Sequence, residues 1–157
     1  MTMMQSVNAF LPAAPAVGGF VAGTQIMTLD GALPVEFLSP GDRIVTRAGV
    51  RKLTGVSVRA VKDVAMVRIG AGTLGHDRPR EATLVPADQM ILIRDWRAKA
   101  LYGADQILIP AARLIDGEMI CREDAAEIRL FTLEFDCDAV VYADGLEAAC
   151  LRVAVAA

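Results

Sequence analysis

Short apolar runs separated by turn residues recur along the chain from Phe20 onward. Their spacing, at roughly 8–12 residues, is typical of all-β domains. The clearest runs are TQIMTL, DRIVTR, RKLTGVSVRAV, VAMVRI, QMILIR, IRLFTLEF and DAVVYADGL. The pattern therefore predicts one mostly-β domain, which we expect to span residues 19–157.

Turn residues support this prediction at three places. Asp30-Gly31 and Asp144-Gly145 each lie between two apolar runs, and Gly accepts the positive φ that a two-residue hairpin requires. Pro40-Gly41 has the composition of a type II turn, which favours Pro at its second position and Gly at its third. The turns thus agree with short strands joined by tight connections.

Helical signals are few. Residues 110–117, PAARLIDG, could form one helical turn that ends at Gly117. Residues 122–130, REDAAEIRL, could form either a short helix or a strand. The stretch RDWRAKALYG, which contains Trp96 and Tyr102, is polar and resembles a loop. Its Trp could anchor a protein partner, although covering an edge of the core is the more common role.

The first 18 residues differ from the rest of the chain. They are rich in Met, Ala and Pro and lack periodicity, so we expect a loosely ordered lead-in. No apolar run reaches the roughly 18 residues that span a membrane. The first basic residue is Arg43, which argues against a secretory signal. We therefore expect a cytoplasmic protein without a membrane span, with export by another kind of signal left open.

Composition narrows the function classes. Apolar residues make up 54% of the 157 residues, which favours a packed core over disorder. The net charge is −3 and the pI is about 5.1, so the chain lacks the basic surface of a nucleic-acid-binding protein. The lone histidine, His76, has no aligned ligands beside it and is expected on a surface loop.

The three cysteines form neither a disulfide framework nor a metal motif, because their number is odd and no CxxC is present. We expect Cys121, Cys137 and Cys150 to behave as small buried apolar residues. Flanking carboxylates disfavour a thiolate at Cys137. Strand alternation would turn this side chain away from its two Asp neighbours and into the core.

A series of short motifs runs through most of the chain. It comprises Phe20, Gly23-Thr24, Gly31, Val35-Glu36-Phe37-Leu38, Pro40-Gly41-Asp42, VRIGAGTLG from Val67, TLVPADQMILI from Thr83, and FDCDAVVYADGLEAACL from Phe135. In this order the motifs resemble the Hint superfamily, the fold shared by inteins and the autoprocessing domain of Hedgehog proteins, and in particular its bacterial Hint-like group. The resemblance implies a compact all-β fold of long, twisted antiparallel strands in two pseudo-symmetric halves.

The resemblance also implies a chemistry and the positions that would carry it. In the family, a Cys, Ser or Thr at the first position attacks the preceding carbonyl, and a His protonates the leaving nitrogen. Here Gly19 stands at the position of the nucleophile. Val85 and Asp88 replace the hydroxyl and the His of a Thr/Ser-x-x-His segment. Asp138 replaces a later His, and Thr132 falls near a position where some relatives also carry His.

Three functions follow from these substitutions. The first is a Hint-fold domain that has lost autoprocessing and serves a structural or interaction role, with an unknown protein partner. The second is an active self-cleaving or splicing domain with an atypical nucleophile. The third is a pocket in which Asp88, Asp136 and Asp138 bind a cation or a small ligand, although carboxylates are more often simply exposed. No cofactor is implied, and we expect no catalytic residues at the five altered positions.

Overall fold

The computed structural model describes residues 18–152, and these residues form mainly β-strands. The strands are β1 (Phe20–Val21), β2 (Gln25–Thr28), β3 (Gly31–Pro34), β4 (Arg43–Thr46), β5 (Gly49–Lys52), β6 (Gly55–Val64), β7 (Met66–Ile69), β8 (Thr83–Pro86), β9 (Met90–Ile93), β10 (Ile107–Pro110), β11 (Ile120–Arg122), β12 (Ala125–Glu134), β13 (Ala139–Ala143) and β14 (Leu146–Cys150). The helical elements in this part of the chain are α1 (Trp96–Tyr102) and two 3₁₀ turns (Val35–Phe37 and Ala111–Leu114). The all-β prediction is confirmed.

The strands form three antiparallel sheets within the described residues. The largest has eight strands, with the order β10-β9-β14-β13-β2-β4-β5 and β3 attached to β2. Two smaller sheets have the orders β1-β12-β6 and β11-β7-β8. Strands from the beginning and the end of the chain are neighbours, as in the pairing of β13 with β2 and β4. One core therefore joins both ends of the domain.

Two similar units show the pseudo-symmetry that the resemblance implies. In each unit a strand ends at a Pro, a 3₁₀ turn follows directly, and one ten-residue strand comes later in the chain. Pro34 and Pro110 have nearly the same backbone angles, with φ of −58° and −63°. The two ten-residue strands, β6 and β12, pair with each other over almost their whole length. This long ribbon also receives β1, where Phe20 lies opposite Phe131.

The turn predictions hold, with one shift in register. Asp144-Gly145 is the two-residue turn between β13 and β14, and both residues have positive φ. At Pro40-Gly41 the N–H of Asp42 donates to Ser39 O at 3.1 Å, which closes the expected turn. In the first hairpin Thr28 pairs with Gly31, so the two loop residues are 29 and 30 and not 30 and 31.

The helical segments divide into one confirmed prediction and one wrong one. Residues 111–114 form the expected helical turn, and the segment from Ala125 resolves in favour of a strand. The stretch expected to be a loop contains α1 instead. Asp95 accepts a hydrogen bond from the N–H of Arg97, and Gly103 ends the helix with φ of 66°. These are the usual N-cap and C-terminal signals, which outweigh the polar composition.

The three cysteines are less buried than the sequence analysis predicted. All three thiols belong to half-buried residues, and only Cys150 packs against the main hydrophobic core. Burial raises the pKa of the Cys150 thiol to about 12. Cys137 lies in a bend between β12 and β13, because the strand ends at Glu134, so the argument from strand alternation does not apply to it.

No helix within residues 18–152 is long and apolar enough to cross a membrane. The expected lead-in falls outside the described residues, except for Gly18.

Candidate functional site

The peptide bond between Gly18 and Gly19 lies against the turn that joins β8 and β9. The N–H of Gly18 donates to Asp88 Oδ1 at 3.0 Å. The N–H of Gly19 donates to Gln89 Oε1 at 2.7 Å in a buried hydrogen bond. The turn residues Asp88 and Gln89, about 70 positions later in the chain, thus hold two successive backbone amides.

Gln89 is the residue that sequence reasoning missed. Its side chain is buried, and its Nε2 donates to Met90 O at 2.9 Å and to Ala149 O at 2.8 Å. These two bonds fix the amide orientation, because only Nε2 can donate and Oε1 must then face Gly19. The signal in the sequence was a single amide between the apolar stretches LVPA and MILI, where a buried polar side chain needs partners.

Gly19 lies in a position that has little room for a side chain. The residue is buried, and a Cβ on it would lie 3.1 Å from Phe131 O and 3.4 Å from Thr132 Oγ1. Its φ of +115° is also a backbone conformation that residues with a side chain rarely adopt. A nucleophilic residue at this position therefore requires a change in the surrounding backbone.

The other positions singled out by the resemblance differ in how close they lie to this peptide. Val85 is buried on β8, a strand that lies against β1. The Thr132 hydroxyl is close to Gly19, as its distance to the Cβ position shows. Asp138 is exposed and accepts a hydrogen bond from the N–H of Arg152 at 2.6 Å. No hydrogen bond joins Asp136 or Asp138 to Gly18 or Gly19 in the described part of the chain.

The candidate metal ligands do not assemble into a site. Residues 18–152 contain no group of three or more His, Cys, Asp or Glu side chains that could hold a metal ion. His76 is almost fully exposed, and its Nε2 lies 3.6 Å from Asp77 Oδ2. The surface position expected for this histidine is therefore what the structure shows.

The side chains next to the Gly18–Gly19 peptide accept hydrogen bonds from the N–H of Gly19 and from the preceding N–H of Gly18. Asp88 contacts Gly18 through a carboxylate oxygen, and Gln89 contacts Gly19 through an amide oxygen. The Nε2 protons of Gln89 are directed at two carbonyls, those of Met90 and Ala149. In this arrangement the nitrogen of the Gly18–Gly19 peptide is a hydrogen-bond donor to Gln89.

Comparisons with known proteins agree with this fold. The family model described as "Hint domain" matches residues 18–153. No curated protein matches the chain by sequence. The solved structures include the bacterial intein-like domain from Clostridium thermocellum, with 15% identity, a TM-score of 0.58, and 85% of this chain and 98% of that chain covered.

Two further structures are inteins. The gp41-1 intein has 13% identity and a TM-score of 0.56, with 83% of this chain and 97% of that chain covered. A DnaB intein from Synechocystis sp. PCC 6803 has 13% identity and a TM-score of 0.53, with 87% of this chain and 100% of that chain covered. At such identities the likeness shows the fold. Together with the family match over most of its length, it establishes that the chain belongs to the Hint-domain family.

Proposed function

We propose that this chain is a Hint-fold domain that does not cut its own backbone and that serves as a structural or interaction module. The observation that carries the proposal is the state of the peptide between Gly18 and Gly19. It has no side-chain nucleophile at residue 19, and its nitrogen is held by an amide oxygen.

The family chemistry requires three groups that are altered here. An acyl shift needs a thiol or hydroxyl placed to attack the Gly18 carbonyl, and Gly19 supplies neither. The leaving nitrogen needs a proton, and Asp88 lies at the position of the proton donor as an acceptor. The third change is Val85, whose side chain cannot form the hydrogen bonds of a Thr or Ser. Each change alone would slow the reaction.

An interaction role fits the surface of the same domain. The side chain of Trp96, at the start of α1, is 64% exposed, and Arg97 lies over its ring at 4.9 Å. Leu101 on the same helix is also exposed. Exposed Trp side chains are frequent anchors at protein interfaces. This helix is therefore the part of the surface from which we expect a protein partner to be recognised.

A gain-of-function series tests the proposal. It compares the unsubstituted chain, Gly19→Cys, and the combination of Gly19→Cys, Val85→Thr and Asp88→His. Asp138 is left unchanged because no contact with Gly18 or Gly19 is recorded for it. Release of residues 1–18 is followed by mass spectrometry in the presence of dithiothreitol, and circular dichroism shows whether each variant is folded.

We expect release from the triple variant only, or much faster release from it than from Gly19→Cys alone. A general acid typically contributes about 10²–10⁴ in rate. Misplacement of the new thiol by the crowded backbone would reduce the rate, since about 1 Å can change it 10²-fold. Equal thiol-dependent release from the unsubstituted chain would contradict the proposal. A folded triple variant that never cleaves would weaken the assignment of the reactive positions without disproving the fold.

A further inference from the structure

Three arginines from separate parts of the chain surround one buried carboxylate. Glu147 on β14 is 2% exposed. Its Oε2 accepts from Arg47 Nη1 at 2.8 Å, and its Oε1 accepts from Arg94 Nη2 at 2.6 Å. Arg78 Nη2 lies 3.2 Å from the same Oε1. We call these four residues the Glu147 cluster.

The Glu147 cluster is fixed in place by the backbone around it. Arg47 lies in the hairpin turn between β4 and β5, and Arg94 directly follows β9. The loop that carries Arg78 is held against the β13–β14 turn, where the N–H of Arg80 donates to Asp144 O at 3.1 Å. A Cβ on Gly145 would lie only 2.3 Å from Asp77 O, which shows how closely this loop packs. The guanidinium groups are therefore preorganised.

The cluster has more positive charge than its carboxylate can balance. Three guanidinium groups face one negative charge, which leaves an excess of two positive charges. The nearby carboxylate of Asp95 is engaged by Arg97. Burial lowers the pKa of the Arg78 guanidinium, and its Nε is buried without a hydrogen-bond partner among the described residues. An anion bound at the cluster would balance this charge and give its guanidinium donors a further acceptor.

Part of the cluster faces the solvent. The side chains of Arg47 and Arg94 are 33% and 40% exposed, so a ligand can reach them from outside. Arg94 uses Nε and Nη2 on Glu147, which leaves its Nη1 outside this contact. Arg47 directs Nη2 at Gln106 Oε1 over 3.3 Å, a long bond that a charged acceptor could replace.

We propose that Arg47, Arg78 and Arg94 form a binding site for a phosphate group on the solvent side of Glu147. Arginine is suited to this ligand because its planar donors match the geometry of phosphate oxygens. A phosphate monoester carries a charge of about −1.5 to −2 near pH 7, which matches the excess charge of the cluster. A carboxylate, with half that charge, would leave the cluster positive.

Thermal unfolding of the full chain tests this site. Inorganic phosphate is titrated at pH 8 against sodium chloride of equal ionic strength. The variant is Arg94→Gln, with Arg47→Gln as the alternative if the first fails to fold. The control is Arg51→Gln on β5, which removes an exposed arginine outside the cluster. Glycerol phosphate in place of inorganic phosphate shows whether a phosphate on an organic group is also accepted.

We expect a saturable rise in Tm for the unsubstituted chain and for Arg51→Gln. At a phosphate concentration tenfold above Kd the rise should be about 3–6 °C. Arg94→Gln should lose most of it. Phosphate also stabilises proteins generally by exclusion from their surface, but that effect does not saturate and would be equal in all variants. A rise that is absent, unsaturable or undiminished in Arg94→Gln would overturn the proposal, and would mean that the arginines serve only to neutralise Glu147.

Discussion

Gly19 shows how one residue determines what this site can do. The resemblance implies a nucleophilic side chain at this position, whereas this chain has no side chain here and little space for one. Its φ of +115° and its contact with Phe131 O both favour glycine. The residue is therefore packed against the ribbon formed by β6 and β12, and glycine suits both its backbone conformation and the space around it.

Substitution of Gly19 by Ala measures this constraint. We expect Gly19→Ala to lower the free energy of unfolding by about 2–4 kcal/mol, through backbone strain together with the close carbonyl contact. The control is Gly49→Ala, where φ is +104° and nothing lies within 4 Å of the added Cβ. The control should lose only the strain contribution, about 1–2 kcal/mol. Urea denaturation gives both values, and equal losses would show that the contact with Phe131 O is unimportant.

At the level of elements, local signals predicted the strands and turns well and the long-range contacts poorly. The Asp144-Gly145 turn could be predicted from residue type alone. Such a turn needs positive φ at two successive positions, and few residue types other than Gly, Asn and Asp accept it. The helix α1 was missed although Asp95 and Gly103 mark its ends, because the polar composition was given more weight than the caps. The contact of Gln89 with Gly19 spans 70 positions, and the local pattern of a single sequence holds no signal for such a distance.

Gln89 joins several elements, and its replacement should be costly. It connects the β8–β9 turn to Ala149 on β14 and to the residue before β1. It also donates to the carbonyl of Met90, the first residue of β9. We expect Gln89→Leu to lower the free energy of unfolding by about 2–5 kcal/mol, because buried backbone groups lose their partners.

Gln106→Leu is the matched control for this prediction. Gln106 is exposed and makes only the long contact with Arg47, so its replacement should change stability by less than about 0.5 kcal/mol. Chemical denaturation measures both variants. A Gln89→Leu variant as stable as Gln106→Leu would mean that water or a rearranged backbone satisfies the groups that Gln89 now holds.

The whole molecule has the Hint fold, and we propose that the residues at the reactive positions of that family are altered in it. The ordered motif series predicted the fold because turns and apolar strands recur at fixed places along the chain. The Glu147 cluster could not be predicted, since its four members come from four distant segments. We propose that the domain as a whole serves as a scaffold and that it has lost autoprocessing.

The intact mass of the chain over time tests this central claim most directly. Purified protein is incubated for days at neutral pH with and without excess dithiothreitol, and samples are analysed by mass spectrometry. We expect one full-length species under both conditions, because the Gly18–Gly19 peptide has no nucleophile at residue 19. A fragment that begins at Gly19 or Phe20 would contradict the account. If that fragment then failed to form in a Thr132→Val variant, the Thr132 hydroxyl beside Gly19 would be identified as the group that causes cleavage.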